Sequence, residues 1–411
     1  MNPNILERAR SGANVLITGL IAFLFLAVPL IAGAAQTPWN MKQLSKAPQT
    51  YPAPDLHASG VRALFYQGMP WRGKPTRVFA WYGVPKQIGA KKIPAMVLVH
   101  GGGGTAFADW VRMWNKRGYA AIAIDTCGNV PIPAPNHGWQ RQAFGGPACW
   151  DASFDQIDWP EKDQWTYQAV ADIVLANSLL RSFPEVDPKH IGITGISWGG
   201  YLTTIAASID SRFRFAVPVY GCGFLGEDSA WVPDFKKMGE VKARKWLDLW
   251  DPSVYLGRAK IPFLWVDGTN DPFYPLDSLQ KSYRLPRGAR TLSIRVRMPH
   301  NHPDGEKPKV IHAFADQYLK HGLPLATVRS QERRGQGVSM TYRAKVTIVR
   351  AKLNYTSDTG PWKDRRWSTA AAEMEPRKNK AWATLPQGAT AYYFNLIDER
   401  GLIVSSDPVL H

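Results

Sequence analysis

Two kinds of apolar spacing divide the chain. Between about Phe79 and Leu319, short runs in which nearly every residue is apolar (Ala95–Val99, Ala120–Ile124, Ile191–Thr194, Phe215–Val219, Phe263–Val266 and Leu292–Val296) alternate with segments of helical period. A strand covered on both faces needs apolar side chains on both. The uninterrupted runs therefore predict a mostly parallel sheet with helices on its two sides, since a half-solvated antiparallel sheet would alternate. One helical stripe is Trp165, Ala169, Ile173, Ala176 and Leu180, stopped by Phe183-Pro184. Another is Val310, Ile311, Phe314, Tyr318 and Leu319, ending near Gly322. After Pro324 the spacing changes to short alternating strands, such as Ala344–Val349, Lys352–Tyr355, Ala381–Thr384 and Tyr392–Ile397, separated by turn residues. The prediction is an α/β domain over 35–324 followed by a small β-sandwich over 325–411. The alternative for the second part is an extension of the main sheet.

Length agrees with that division, because a single core rarely grows beyond roughly 250–300 residues and this chain has 411. A hydrophobic share of 45% with 12% aromatics excludes disorder over most of the chain. The net charge of +17 attracts anionic surfaces of any kind, and no nucleic-acid partner is expected from it. At the start, Arg8 and Arg10 precede an apolar run from Val15 to Ile31 that ends in Ala32-Gly33-Ala34-Ala35. This order predicts a signal peptide over 1–34 and a secreted or periplasmic protein with no stable membrane span after cleavage; the alternative is an uncleaved anchor. Of the three cysteines, Cys127 and Cys149 flank a loop rich in Pro, Gly and Trp, and a bridge between them would leave Cys222 as a buried thiol. Three unpaired thiols are the other arrangement.

The candidate chemistry begins at Gly195-Ile196-Ser197-Trp198-Gly199, a G-x-S-x-G between the run Ile191–Thr194 and the helix-like Gly200–Ile209. A serine on so sharp a strand-to-helix turn is strained, and its glycine neighbours let strand and helix approach. Directly after Ala95–Val99 comes His100-Gly101-Gly102-Gly103-Gly104, whose side-chain-free N–H groups suit an acyl oxyanion. Gly102 or Gly103, with the N–H of Trp198, is the expected oxyanion hole. A serine needs a base, and the base needs an acid behind it. Asp271, in the loop after Phe263–Val266, is the expected acid, while Asp267 is expected to make a turn. Met298-Pro299-His300-Asn301-His302-Pro303 offers two bases. The later one has more loop in which to turn back toward Ser197, which makes His302 the expected base and His300 the alternative. His100 is expected beneath the glycine loop as a hydrogen-bonding support. No His or Cys spacing suits a metal, so neither metal nor cofactor is expected.

The run from Asp187 through Gly195-Ile196-Ser197-Trp198-Gly199-Gly200-Tyr201, together with Tyr220-Gly221-Cys222-Gly223-Phe224, resembles the α/β-hydrolase superfamily. The resemblance is to its branch of dienelactone-hydrolase, acetylxylan-esterase and prolyl-oligopeptidase-like proteins, and covers about Leu64 to Leu323. It implies a serine hydrolase working through an acyl-enzyme, on esters or on peptides. A β-propeller, which filters peptides in true prolyl oligopeptidases, has no room before Phe79, and this favours an esterase acting on acylated carbohydrate or a related small ester. A peptidase is the alternative. A noncatalytic binding protein on a hydrolase scaffold is the further one. Gly128–Lys162 is expected to wall the pocket, with Trp150, Trp198 and Trp231 as flat apolar surfaces for substrate.

Overall fold

The computed structural model describes residues 37–86, 91–135 and 138–411; the expected signal segment 1–34 and His137 lie outside them. Nineteen strands are found among the described residues. β1 (Thr50–Pro52), β2 (Arg62–Gln67), β3 (Arg77–Gly83), β4 (Ile93–Val99) and β5 (Ala120–Ile124) are followed by a small hairpin, β6 (Asn129–Pro133) and β7 (Trp139–Arg141). Then come β8 (Val186–Ile196), β9 (Ala216–Val219), β10 (Phe263–Gly268) and β11 (Arg290–Arg295). The main sheet has nine strands in the order β1-β2-β3-β5-β4-β8-β9-β10-β11. From β5 to β11 neighbours run parallel, while β1, β2, β3 and β5 pair antiparallel. The interior runs read as doubly covered strands are so, every residue of β5, β9 and β10 being buried, whereas the last run, Leu292–Val296, falls on the outer strand β11, which ends at Arg295 and is buried only over Leu292–Ile294. The antiparallel edge before Phe79 carried no such run and is an addition to the sequence reading. In β2 buried, half-buried and exposed positions interchange, as on a sheet edge with one wet face.

The remaining strands are β12 (Thr327–Arg334), β13 (Gly337–Arg343), β14 (Ile348–Thr356), β15 (Ser368–Glu375), β16 (Lys380–Thr384), β17 (Ala391–Asp398), β18 (Ile403–Ser405) and β19 (Val409–Leu410). They form a separate antiparallel sheet, β12-β13-β16-β15-β14-β17-β18, with β19 on β17. β15 joins its halves, since Ser368–Ala372 pairs with β14 and Glu373–Glu375 with β16. The expected strand Ala344–Val349 is displaced: Ala344–Thr347 are irregular with a bend at Lys345–Val346, and the strand begins at Ile348. This sheet is thus not a continuation of the main one, yet Thr37–His411 is one compact unit. The reason lies at β11, the outer strand of the main sheet. Ser405 Oγ accepts the N–H of Ile294 (2.8 Å) and donates its one proton to Asn395 Oδ1 (2.6 Å), while Asn395 Nδ2 donates to the Ile294 carbonyl (3.2 Å). An uncovered edge would present these groups as a template for aggregation; here buried side chains occupy them.

Parallel strands place their C-terminal ends on one side of the sheet, where ligand crevices of open α/β folds lie. β4 leads there into His100-Gly101, β8 into Ser197, β10 toward Asp271 and β11 toward His300. Val99 pairs with Gly195, which sets the glycine loop beside the serine turn.

Candidate active site

Ser197 is the turn between β8 and the helix Trp198–Ile209, with φ 58° and ψ −122°, a backbone that a non-glycine residue adopts only when its surroundings impose it. Its own N–H is held by the carbonyl of Val219 (2.8 Å). The helix behind it lies so close to β4 that a Cβ on Gly199 would overlap the carbonyl oxygens of Val99 and His100. A Cβ on Gly101 would collide with the Ile196 carbonyl and with Ser197 Cβ. The two glycine motifs are therefore complementary surfaces of one contact. His100 supports this contact from below. Burial pushes its pKa down to about 4, so it is neutral: Nδ1–H donates to Gly101 O (2.9 Å) and Nε2 accepts the N–H of Thr126 (3.0 Å). The 3.6 Å approach of Asp125 to Nε2 is for that reason no ion pair.

The imidazole facing Ser197 belongs to His300. Ser197 Oγ lies 2.8 Å from His300 Nε2, and His300 Nδ1 lies 2.5 Å from Asp271 Oδ2. The other carboxylate oxygen of Asp271 accepts the N–H groups of Phe273 and Tyr274, both at 2.8 Å. Asp267 lies beside Asp271 and accepts the N–H of Gly268 (2.7 Å). Burial, reinforced by the charge of Asp271, raises its pKa well above the carboxylate range and favours its protonated form. Tyr220 packs its ring 4.5 Å from that of His300 and donates to the carbonyl of Pro299 (2.6 Å), fixing the loop that carries the base.

The expectation for His302 is corrected. Asn301 caps a short helix, His302–Glu306, by accepting the N–H of Asp304 (2.8 Å), and Pro303 occupies its first turn. The free loop ends at Asn301, and the helix carries His302 onto the rings of Phe107 (4.3 Å) and Trp110 (4.8 Å), with Glu306 3.6 Å from Nε2. The signal was present as Asn-His-Pro-Asp, a cap followed by proline. Loop length was the wrong criterion, because what matters is where the loop stops.

The acetyl xylan esterase family matches residues 40–229, and the prolyl oligopeptidase family matches residues 157–321. An acetyl xylan esterase from Paenibacillus sp. R4 superposes with a TM-score of 0.55 at 23% identity, covering 68% of this chain and 92% of that one. Acetyl xylan esterase 1 from Thermoanaerobacterium sp. JW/SL YS485 superposes at 0.52 and 17% identity, with 69% and 94% covered. The chain has the α/β-hydrolase fold. Among curated proteins, it is 23% identical over 275 residues to the uncharacterized peptidase YuxL of Bacillus subtilis (strain 168), a match covering 59% of this chain and only 37% of that protein.

A pocket of about 510 Å³ opens over Ser197 and His300. Gly101 to Gly104 form one wall, and Trp150, Trp198 and Trp231, the three tryptophans expected as substrate surfaces, form another. Trp198 and Trp231 are both buried and also belong to the core, Trp198 packing against Trp165, Tyr201 and Trp231. Trp150 follows Cys149, which is disulfide-bonded to Cys127, while Cys222 is a buried free thiol. Phe107 and Phe273 also line the pocket without any mark in the sequence, and Asp151 and Asn301 line it from segments that the sequence placed there. Asp151 accepts from Trp231 Nε1 (2.8 Å) and joins the two loops across the mouth. No spacing rule pairs residues 80 positions apart. Among the described residues, no cluster of three or more His, Cys, Asp or Glu could hold a metal.

Proposed function

We propose that this protein is an exported serine hydrolase that cleaves carboxylic esters, resembling the acetyl xylan esterases in acting on acylated carbohydrate or a related small ester. The observation that carries the reading is the unbroken hydrogen-bond chain from Ser197 through His300 to Asp271 at the floor of an aromatic-walled pocket. Ser197 Oγ attacks the ester carbonyl as its proton passes to His300 Nε2, and Asp271 holds the Nδ1–H tautomer and balances the imidazolium. The tetrahedral oxyanion takes hydrogen bonds from the N–H groups of Trp198 and Gly102, with Gly103 as the alternative donor. His300 then returns its proton to the departing alcohol oxygen, leaving the acyl group on Ser197 for water to remove by the same steps reversed. The Cys127–Cys149 bridge suits export to an oxidising compartment.

A peptidase is the second reading, favoured by the prolyl oligopeptidase match over 157–321. A fluorophosphonate probe should label the wild type and not Ser197→Ala. Comparison of kcat/KM on p-nitrophenyl acetate, acetylated xylan and acyl-peptide p-nitroanilides then assigns the substrate. Absence of labelling would return the molecule to the noncatalytic alternative.

A further inference from the structure

The residue before the acid is the point at which the C-terminal sheet reaches the active site. Asn270 Nδ2 lies within hydrogen-bond distance of three backbone carbonyls between β14 and β15: Trp362 (3.1 Å), Lys363 (3.1 Å) and Arg365 (2.7 Å). Two N–H groups serve three acceptors, so one is shared. On its other side, Asn270 Oδ1 accepts from Thr269 Oγ1 (2.8 Å), which itself accepts the N–H of Arg297 from the chain leading to His300 (3.0 Å). One carboxamide thereby joins the acid loop, the base loop and the C-terminal unit. The segment that receives it is firm. Trp362 is buried at 6% exposure, the Arg365 guanidinium stacks 3.5 Å from its ring, and Arg365 Nε donates to Gly360 O (2.9 Å).

Asp271 is held from its C-terminal side by the N–H groups of Phe273 and Tyr274, and Asn270 ties down the backbone on its N-terminal side. We propose that Asn270 is a positioning residue for Asp271, and through it for His300. The C-terminal unit is then part of the active-site scaffold and not only an appendage for holding substrate. This rests on the reading of Ser197, His300 and Asp271 as the catalytic triad. A displacement of about 1 Å in such a group costs on the order of 100-fold in rate, so loss of the tie should be read in turnover and not in substrate binding.

The test compares Asn270→Ala, Asn270→Ser and Asn270→Asp with Ser405→Ala in the full-length chain, on p-nitrophenyl acetate, well below each variant's melting temperature. Ser405→Ala loosens the same interface at β11 without touching the acid loop. The Asn270 variants should lose roughly 10- to 100-fold in kcat with KM within about twofold of wild type. Asn270→Asp should lose at least as much as Asn270→Ala, because a carboxylate has no hydrogen to offer three carbonyls. Ser405→Ala should lower the melting temperature and leave kcat within about twofold. Unchanged kcat in all three Asn270 variants, or an equal kcat loss in Ser405→Ala, would overturn the proposal. Ser197→Ala reports separately on the triad: if it retains activity, the catalytic reading itself has failed.

Discussion

The two halves of the candidate active site are built in different ways. Ser197 and the glycine loop sit at the ends of β8 and β4, neighbouring strands inside the main sheet, where local backbone geometry and the close approach of Gly101 and Gly199 leave no freedom. His300 and Asp271 sit on loops after β11 and β10, the last two strands on that side of the sheet. Their places depend on partners far along the chain: Tyr220, Thr269, and through Asn270 the carbonyls of residues 362, 363 and 365. A nucleophile can be set by its immediate neighbours. The base and acid must be brought to it, and the loops that bring them are only as firm as the structure bracing the edge.

The largest expected effect separates the two histidines of the edge loop. His300→Ala should lower kcat/KM on p-nitrophenyl acetate by three orders of magnitude or more, since a serine without its base loses nearly all nucleophilic advantage. His302→Ala, which removes a pocket wall packed on Phe107 and Trp110, should cost less than about tenfold and be felt mainly in KM. Comparable losses in the two would erase the distinction drawn between them.

Next is removal of the C-terminal unit. A chain ending at Gly322 keeps every proposed catalytic residue but strips Ser405 and Asn395 from Ile294 and the receiving carbonyls from Asn270. The naked β11 edge should then aggregate. Solubility and acetate release measure this; a soluble chain with full turnover would show that the edge loops stand without their brace.

The smallest effect belongs to the interior half. Asp125, at the end of β5, accepts the N–H groups of Cys127 and Asn129, yet burial pushes its pKa up to about 6 from 3.8. The folded state therefore binds the proton more tightly than the unfolded one. The resulting stabilisation is fully present below about pH 4 and is lost as pH rises through 6, on the order of 3 kcal/mol in all. Urea unfolding at several pH values should show this decline flattened in Asp125→Asn. Parallel slopes in the two proteins would remove Asp125 as its source.

The interior strands, the serine turn and the glycine loop were legible because each is dictated within a few residues of itself, and Asp271 because its loop directly follows a legible strand, although what steadies that loop lies far along the chain. A strand covered on both faces must be apolar throughout, and a tight strand-to-helix turn needs glycine beside it. The antiparallel edge strands were less legible, as a surface with one wet face leaves mixed positions. The choice between His300 and His302 turned on the helix that Asn301 and Pro303 begin, and on which ring Tyr220 could support. The brace at Asn270 had no local mark at all, because its acceptors are backbone carbonyls, which every residue possesses. What the chain determined by itself was the fold class and the places proposed for the nucleophile, the oxyanion loop and the acid. Tertiary structure alone decided which imidazole reaches Ser197, which aromatic residues wall the pocket and what steadies the edge loops. Those depend on distances between residues remote in sequence, and only packing sets them.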